Sequence, residues 1–383
     1  MKVAIVHDWL TNYGGAETFV ELLLTIYPDA DIYTLVYDKK KMKGHFEGLN
    51  IHTSRLQKLP MASKIYTKLL KFMPKAFESF DLSGYDLVIC SSSSCAKGVI
   101  VPPYIPQIAY IHSPMRYAWD LYFDYKKRSG RLTRFFMDKW MPEIRLWDYI
   151  SSQRIDTIVA NSKYIARRIK KFWNRDAKVI YSPVNVERFY PDFSKPREDF
   201  YVAYSRLVPY KRIDLAISAI KGTGRKLKVI GAGSEEEKLK ELAKGDPNIE
   251  FLGRAPDEVL RGNLQRCKAM IFCAEEDFGL APVEAQACGC PVIAFGRGGA
   301  TETVLADKTG VFFEKQETES LKNAIERFEN LHEKGSFKDE AIVKHALTFS
   351  REQFVKQFTA AVEETRKRVC GSVKPDEDHS FIE

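Results

Sequence analysis

Apolar residues in this chain come in short unbroken runs, separated by longer stretches in which apolar positions recur every three or four residues. Such alternation predicts strands buried on both faces and joined by crossover helices, the pattern of parallel α/β sheets. In the first half the runs are Lys2–His7, Ile32–Val36, Tyr85–Cys90, Gln107–Ile111 and Thr157–Ala160. The first run passes through Thr11-Asn-Tyr-Gly14-Gly15 into Ala16–Ile26, which has helical spacing, so the order is strand, glycine turn, helix. A second series begins at Phe200–Ser205 and continues through Lys228–Ile230, Ile249–Leu252, Ala269–Cys273, Pro291–Phe295 and Val311–Phe313. Each series predicts one doubly wound domain. Between them, Tyr181 to Pro191 is polar and carries two prolines, which places a linker at 183–198, a first domain at 1–182 and a second at 199–350. A last helix, about 351–369, has no strand of its own to cover. The serine run 91–94 is the one low-complexity tract.

A length of 383 residues suits two domains, each large enough to bury a core without disulfide or metal staples. With 45% hydrophobic and 29% charged residues, disordered and collagen-like classes are excluded. No stretch reaches the ~18 apolar residues that a spanning helix needs, and Met1–Leu10 is too short for a signal peptide. The seven cysteines, 90, 95, 267, 273, 288, 290 and 370, are odd in number and lack C-x-x-C spacing. They read as buried thiols in a reducing cytosol. Charge adds an asymmetry: of the net +8, residues 1–180 carry +11 and the remainder −3. The first half is therefore expected to face something anionic.

Three segments can carry chemistry. Gly14-Gly15, at a strand-to-helix junction, either presents bare N–H groups to an anion or is a plain tight turn. Gly231-Ala-Gly233 precedes three consecutive glutamates, which would repel a phosphate, and is read as structural. The third segment runs Glu276-Asp-Phe-Gly-Leu-Ala-Pro-Val-Glu284-Ala-Gln-Ala-Cys-Gly-Cys-Pro-Val-Ile-Ala. Here a loop follows a strand, and Pro282 suits the first turn of a helix that holds Glu284. Loops at the carboxyl ends of parallel strands are where open α/β sheets bind ligands. By residue chemistry alone, Glu284 could equally complement the helix dipole while Glu276 is solvated.

This last segment resembles the E-x7-E signature of retaining glycosyltransferase family 4, with Asp277 where a glycine is usual. Ile111-His112-Ser-Pro, Asn161-Ser162-Lys163-Tyr164, Ser205-Arg206-Leu-Val-Pro-Tyr-Lys211-Arg, Gly231-Ala-Gly233 and Phe251-Leu-Gly253 agree in order with the same family. Within it, His7-Asp-Trp-Leu and His112-Ser-Pro-Met-Arg are most similar to bacterial polysaccharide and O-antigen mannosyltransferases that use GDP-mannose. The resemblance implies the GT-B fold: two Rossmann-like doubly wound parallel-sheet domains facing across a cleft, with the last helix packing back on the first domain. It implies Arg206 and Lys211 on the donor diphosphate, and Glu276 with the N–H groups of Phe278, Gly279 and Leu280 on the transferred sugar. Glu284 would hold the ribose, Gly14 and Gly15 would border the donor, and His112 would contact the sugar. Unaided, a lone His112 reads as a structural histidine. The implied reaction is metal-independent transfer of a sugar, with retention, to a hydroxyl of a lipid-linked saccharide in cell-surface polysaccharide synthesis. The alternatives are a UDP-sugar donor or a non-catalytic nucleotide-sugar-binding module. No cofactor and no metal is implied.

Two further features bear on partners. Asp29-Ala-Asp31 matches the three-letter metal-binding pattern of another glycosyltransferase fold, a match expected by chance in a chain with 51 acidic residues. Residues 48–77 hold six basic side chains and no acidic one. Lys64, Lys68, Lys71 and Lys75 are spaced to share one helical face, with Pro74 ending the helix. That face would dock a cytoplasmic enzyme peripherally on an anionic membrane, or is simply a solvated face over a core-packed helix. No nucleic-acid-binding motif accompanies the charge.

Overall fold

The computed structural model describes residues 1–194 and 196–371; Lys195, inside the segment read as a linker, lies outside them. The chain forms two compact units, one of Met1–Ile180 plus the residues from Val355 onward, the other Tyr181–Phe354.

The first unit is built on a seven-stranded sheet: β1 (Val3–His7), β2 (Asp31–Thr34), β3 (Ile51–Thr53), β4 (Leu87–Ser92), β5 (Gln107–Ile111), β6 (Thr157–Ala160) and β7 (Lys178–Val179), in the order β3-β2-β1-β4-β5-β6-β7. Every pairing is parallel. All residues of β1, β4 and β5 are buried, which their near-continuous apolar sequences demand. The edge strands β3 and β7 left no apolar run in the sequence because they are short and half-exposed. Helix Gly15–Ile26 buries Phe19, Val20, Leu22 and Leu23, and the Phe19 ring stacks on Tyr110 at 4.2 Å. The last helix, Arg351–Cys370, joins this unit from Val355 on. Phe358, fully buried, packs edge-on to Phe19 and Tyr110, and Thr365 Oγ1 donates to Thr157 Oγ1 at 2.7 Å.

The second unit holds six parallel strands: β8 (Tyr201–Tyr204), β9 (Leu227–Ile230), β10 (Ile249–Gly253), β11 (Ala269–Phe272), β12 (Val292–Phe295) and β13 (Gly310–Phe313), in the order β10-β9-β8-β11-β12-β13. Residues 183–194 and 196–198, within the segment 183–198 read as a linker from its prolines, are part of this unit. Phe189 is buried, Val184 N donates to Phe349 O at 2.8 Å, and Arg197 donates to Cys267 O and pairs with Asp339, both at 2.9 Å. Six of the seven cysteines are buried free thiols, whereas Cys370 is exposed at the end of the last helix.

Strand order reverses direction once in each sheet, between β1 and β4 and between β8 and β11. At such a switch point the two adjoining crossovers leave to opposite faces, and a crevice opens at the carboxyl ends of the strands.

Candidate functional site

In the second unit the switch point gathers the sequence-predicted residues. The chain leaving β8 makes a single 3-10 turn, Pro209–Lys211, so that Arg206, Tyr210 and Lys211 converge: Arg206 Nη2 donates to Tyr210 Oη at 3.1 Å, and Lys211 Nζ lies 5.3 Å from the Tyr210 ring centre. Lys211 is mostly buried and pairs with Glu276, which arrives on the loop after β11. Arg206 is exposed. Gly279, at φ 83°, turns that loop into helix Leu280–Ala287, so the N–H groups of Gly279 and Leu280 stand at the helix start, with Phe278 in the loop before it. Two glycine pairs hold the loops at backbone contact. A Cβ at Gly299 would lie 2.3 Å from Phe278 Cα, and one at Gly231 would lie 1.8 Å from Ser205 O. Gly231 and Gly233 thus act as the structural glycines expected, seating the Arg206 loop.

Glu284 stands in the first turns of that helix. Burial pushes its carboxyl up to about 7; the Asp257 and Glu276 carboxylates add to the rise, and the Arg188 and Lys211 cations oppose it. The cluster therefore offers two basic side chains, one carboxyl group already paired with Lys211, a second carboxyl that titrates near neutrality, and the positive end of a helix. An anion with several hydroxyls attached matches that set.

In the first unit the switch point joins His7, at the end of β1, to Ser91 near the end of β4 and His112 just after β5. Ser91 Oγ lies 3.1 Å from His7 Nδ1 and 2.9 Å from His112 Nε2. One hydroxyl proton serves two imidazoles, so the two rings cannot both accept from Ser91. Glu17 Oε1, 3.7 Å from His7 Nε2, favours the proton on that nitrogen. His7 Nδ1 then accepts from Ser91, His112 Nε2–H donates to Ser91, and His112 Nδ1 is left as an acceptor. Burial, reinforced by His7, pushes His112 down to about 3, so it is neutral at physiological pH. Gly14 caps helix Gly15–Ile26 in extended backbone, but the buried Glu17 carboxylate stands beside it, 3.4 Å from where a Gly14 Cβ would be. An anion arriving at that helix end meets a negative charge, so the turn suits hydroxyls better than phosphate.

The sequence pattern passed over Asp8. Its buried carboxylate accepts from the backbone N–H of Ser93, Ser94 and Ala96 at 2.6, 2.9 and 2.8 Å, wrapping the serine loop after β4 around the end of β1. The available signal was the serine run itself, directly after a strand that pairs with β1.

The lysine segment differs from expectation. Residues 62–78 form a short helix Ala62–Ile65, a 3-10 stretch Tyr66–Phe72 and a second helix Met73–Glu78, with Pro74 in the first turn of the last piece. Pro74 begins a helix because its fixed φ and missing N–H suit that position, and Lys64, Lys68 and Lys71 do not share one α-helical face. Lys64 and Lys68 are exposed, whereas Lys71 pairs with Glu143 at 3.5 Å and covers Trp140. Asp31, of the Asp29–Asp31 pattern, accepts from Tyr85 and Asn50 at the β2 end of the sheet. Among the described residues, no group of three or more His, Cys, Asp or Glu is placed to hold a metal ion.

Comparison with known proteins covers both units. The family profile described as Glycosyltransferase Family 4 matches residues 13–188, and that described as Glycosyl transferases group 1 matches residues 188–341. The chain is 30% identical, over 332 residues, to an uncharacterized glycosyltransferase of Methanocaldococcus jannaschii, covering 85% of this chain and 87% of that one. It is also 30% identical, over 199 residues, to the GDP-mannose-dependent monoacylated alpha-(1-6)-phosphatidylinositol monomannoside mannosyltransferase of Corynebacterium glutamicum, a match covering 45% of this chain and 52% of that relative. Among solved structures, HepE of Anabaena in complex with UDP aligns with a TM-score of 0.69 at 17% identity, covering 95% of this chain and 100% of that one. Sucrose-phosphate synthase from Thermosynechococcus elongatus aligns with a TM-score of 0.69 at 17% identity, covering 95% and 98%. At such identities the likeness is one of fold.

Proposed function

The chain belongs to the glycosyltransferases, with a family 4 first half, a group 1 second half and the GT-B fold, and on that premise we propose that it transfers α-mannose from GDP-mannose, with retention, to a hydroxyl of a lipid-linked saccharide. The observation that carries this reading is the Arg206, Lys211, Glu276 and Glu284 cluster at the switch point of the second unit. Arg206 and Lys211 would bind the diphosphate, one as a fork of donors and the other as a compact charge. Glu276 and the N–H groups of Phe278, Gly279 and Leu280 would take hydroxyls of the sugar, and Glu284 those of the ribose. In the first unit, His112, with an accepting Nδ1, would hold a further sugar hydroxyl beside the Gly14–Gly15 turn.

In the proposed step the acceptor oxygen attacks the anomeric carbon from the face that the diphosphate leaves. The C–O bond to phosphate breaks as the new one forms, and the acceptor proton passes to the departing phosphate oxygen. Negative charge grows on that oxygen, where the two cations and the start of helix Leu280–Ala287 would stabilise it. Transfer to a lipid-linked acceptor would occur on the cytoplasmic face of a membrane, with the basic first unit held against anionic lipid. No helix among the described residues is long and apolar enough to cross a membrane.

The test is a panel of GDP-mannose, UDP-glucose, UDP-galactose and UDP-GlcNAc in binding and turnover assays, with and without EDTA. Preference for GDP-mannose, unaffected by EDTA, is the expected outcome. Preference for a UDP-sugar overturns the donor, and EDTA inhibition reversed by manganese returns attention to Asp29 and Asp31.

A further inference from the structure

Helices Tyr122–Arg128 and Arg131–Gln153 form a hairpin on the first unit, turning at Ser129-Gly130. The hairpin is internally braced. Arg134 donates to the carbonyls of Lys126, Lys127 and Ser129 at 3.0, 2.8 and 2.8 Å, capping the first helix, while Asp138 takes the Tyr122 hydroxyl at 2.7 Å and the Lys126 ammonium. A tip so braced would be expected to turn its apolar side chains inward. Instead Phe123, Leu132 and Phe135 are 70%, 70% and 60% exposed. Around them Lys127, Arg128 and Arg131 are exposed and make no ion pair among the described residues.

Projecting apolar side chains ringed by free cations match one kind of surface, an anionic bilayer: the rings and the leucine enter the acyl boundary while the cations stay among the headgroups. A second copy of the chain would bring like charges together, and nucleic acid offers no apolar layer for the tip. We propose that this hairpin tip is the membrane-inserting element of the protein, holding the first unit on anionic lipid. The proposal rests on the membrane reading above, but assigns the contact to Phe123, Leu132 and Phe135 in place of the Lys64, Lys68 and Lys71 segment.

The test uses the full chain, with vesicles of phosphatidylcholine alone or mixed with phosphatidylglycerol. Wild type should co-sediment with the anionic vesicles, less so at high salt. Phe123→Ser with Leu132→Ser should lower the bound fraction by roughly tenfold or more, with thermal midpoint and GDP-mannose binding unchanged. Leu132→Trp should show a blue-shifted emission, quenched by brominated lipid, only with anionic vesicles. Undiminished binding of the double variant, or an emission that ignores the vesicles, overturns the proposal. If binding is lost instead in Lys64→Glu with Lys68→Glu, the hairpin assignment fails while membrane docking stands. If wild type binds no vesicle, both fail. Concentration-dependent self-association through the tip would overturn the proposal in favour of a second copy.

Discussion

Glu284 has the most testable electrostatics of any single residue in the cluster. Its carboxyl titrates at about 7 in the folded protein against 4.5 for an unperturbed glutamate, so the folded state holds a proton that the unfolded chain releases. Its contribution to stability is therefore fully present below pH 4.5, falls as pH rises through the window up to 7, and above that costs up to about 3 kcal/mol. Glu284→Gln should accordingly raise stability by about 1–3 kcal/mol at pH 8 and by little at pH 4, read from denaturant unfolding at the two pH values. Donor binding should run the other way. On the proposed reading ribose hydroxyls would donate to the carboxylate, so GDP-mannose affinity should rise about tenfold between pH 6 and 8 in wild type, and calorimetry on Glu284→Gln should find the dependence flattened. For the cations, Arg206→Ala and Lys211→Ala should each lower turnover on the order of 10²-fold, as loss of a transition-state charge partner does. Wild-type kinetics in both would remove them from the site. These residues were legible because their spacing matches a known signature. Asp8, Ser91 and Glu17 were not, because their importance lies in β1, β4 and the first helix meeting in space, a pairing across more than 80 positions for Asp8 and its serine loop.

At the scale of elements, what could be read ahead was whatever is buried on both sides. The central strands announced themselves as apolar runs, while β3 and β7 sit at sheet edges, where few residues are needed and half-exposure permits polar ones. Residues 62–78 illustrate the opposite failure: lysine spacing of helical period was present, yet the backbone tightens to a 3-10 stretch and restarts at Pro74. Likewise the prolines near 183–191 signalled a break in secondary structure, but could not tell a free linker from a packed one. Phe189 decides that by its burial. Glycines give the sharpest prediction here. Gly299→Ala places a methyl against Phe278 backbone, which cannot yield as a side chain could, and Gly299 N also donates to Glu276 O at 2.8 Å. The loop carrying Glu276 should be displaced, abolishing most turnover while far-ultraviolet circular dichroism stays close to wild type. Activity near wild type would show that the loop does not need this contact.

For the whole molecule, the sequence asymmetry in charge separates two features: the negative remainder contains the cation-and-carboxylate cluster, and the basic first half contains the hairpin with its exposed rings. The last helix changes what the first unit is. Phe358 is fully buried against Phe19 and Tyr110, so Phe358→Ala should cost about 3–5 kcal/mol in the unfolding of the first unit. An unchanged thermal midpoint would show the helix to be a loose appendage. There is a consequence for synthesis on the ribosome. The second unit is one continuous stretch, Tyr181–Phe354, whereas the first needs residues from both sides of it. The half that is translated first is therefore the half that is finished last: until Phe358 and Thr365 emerge, the Phe19 and Tyr110 rings and β6 lack their cover, although every residue of the later unit has been translated. A chain cut after Phe354 and joined to an unstructured spacer long enough to span the exit tunnel should, while stalled, expose a protease-sensitive first unit beside a resistant second one.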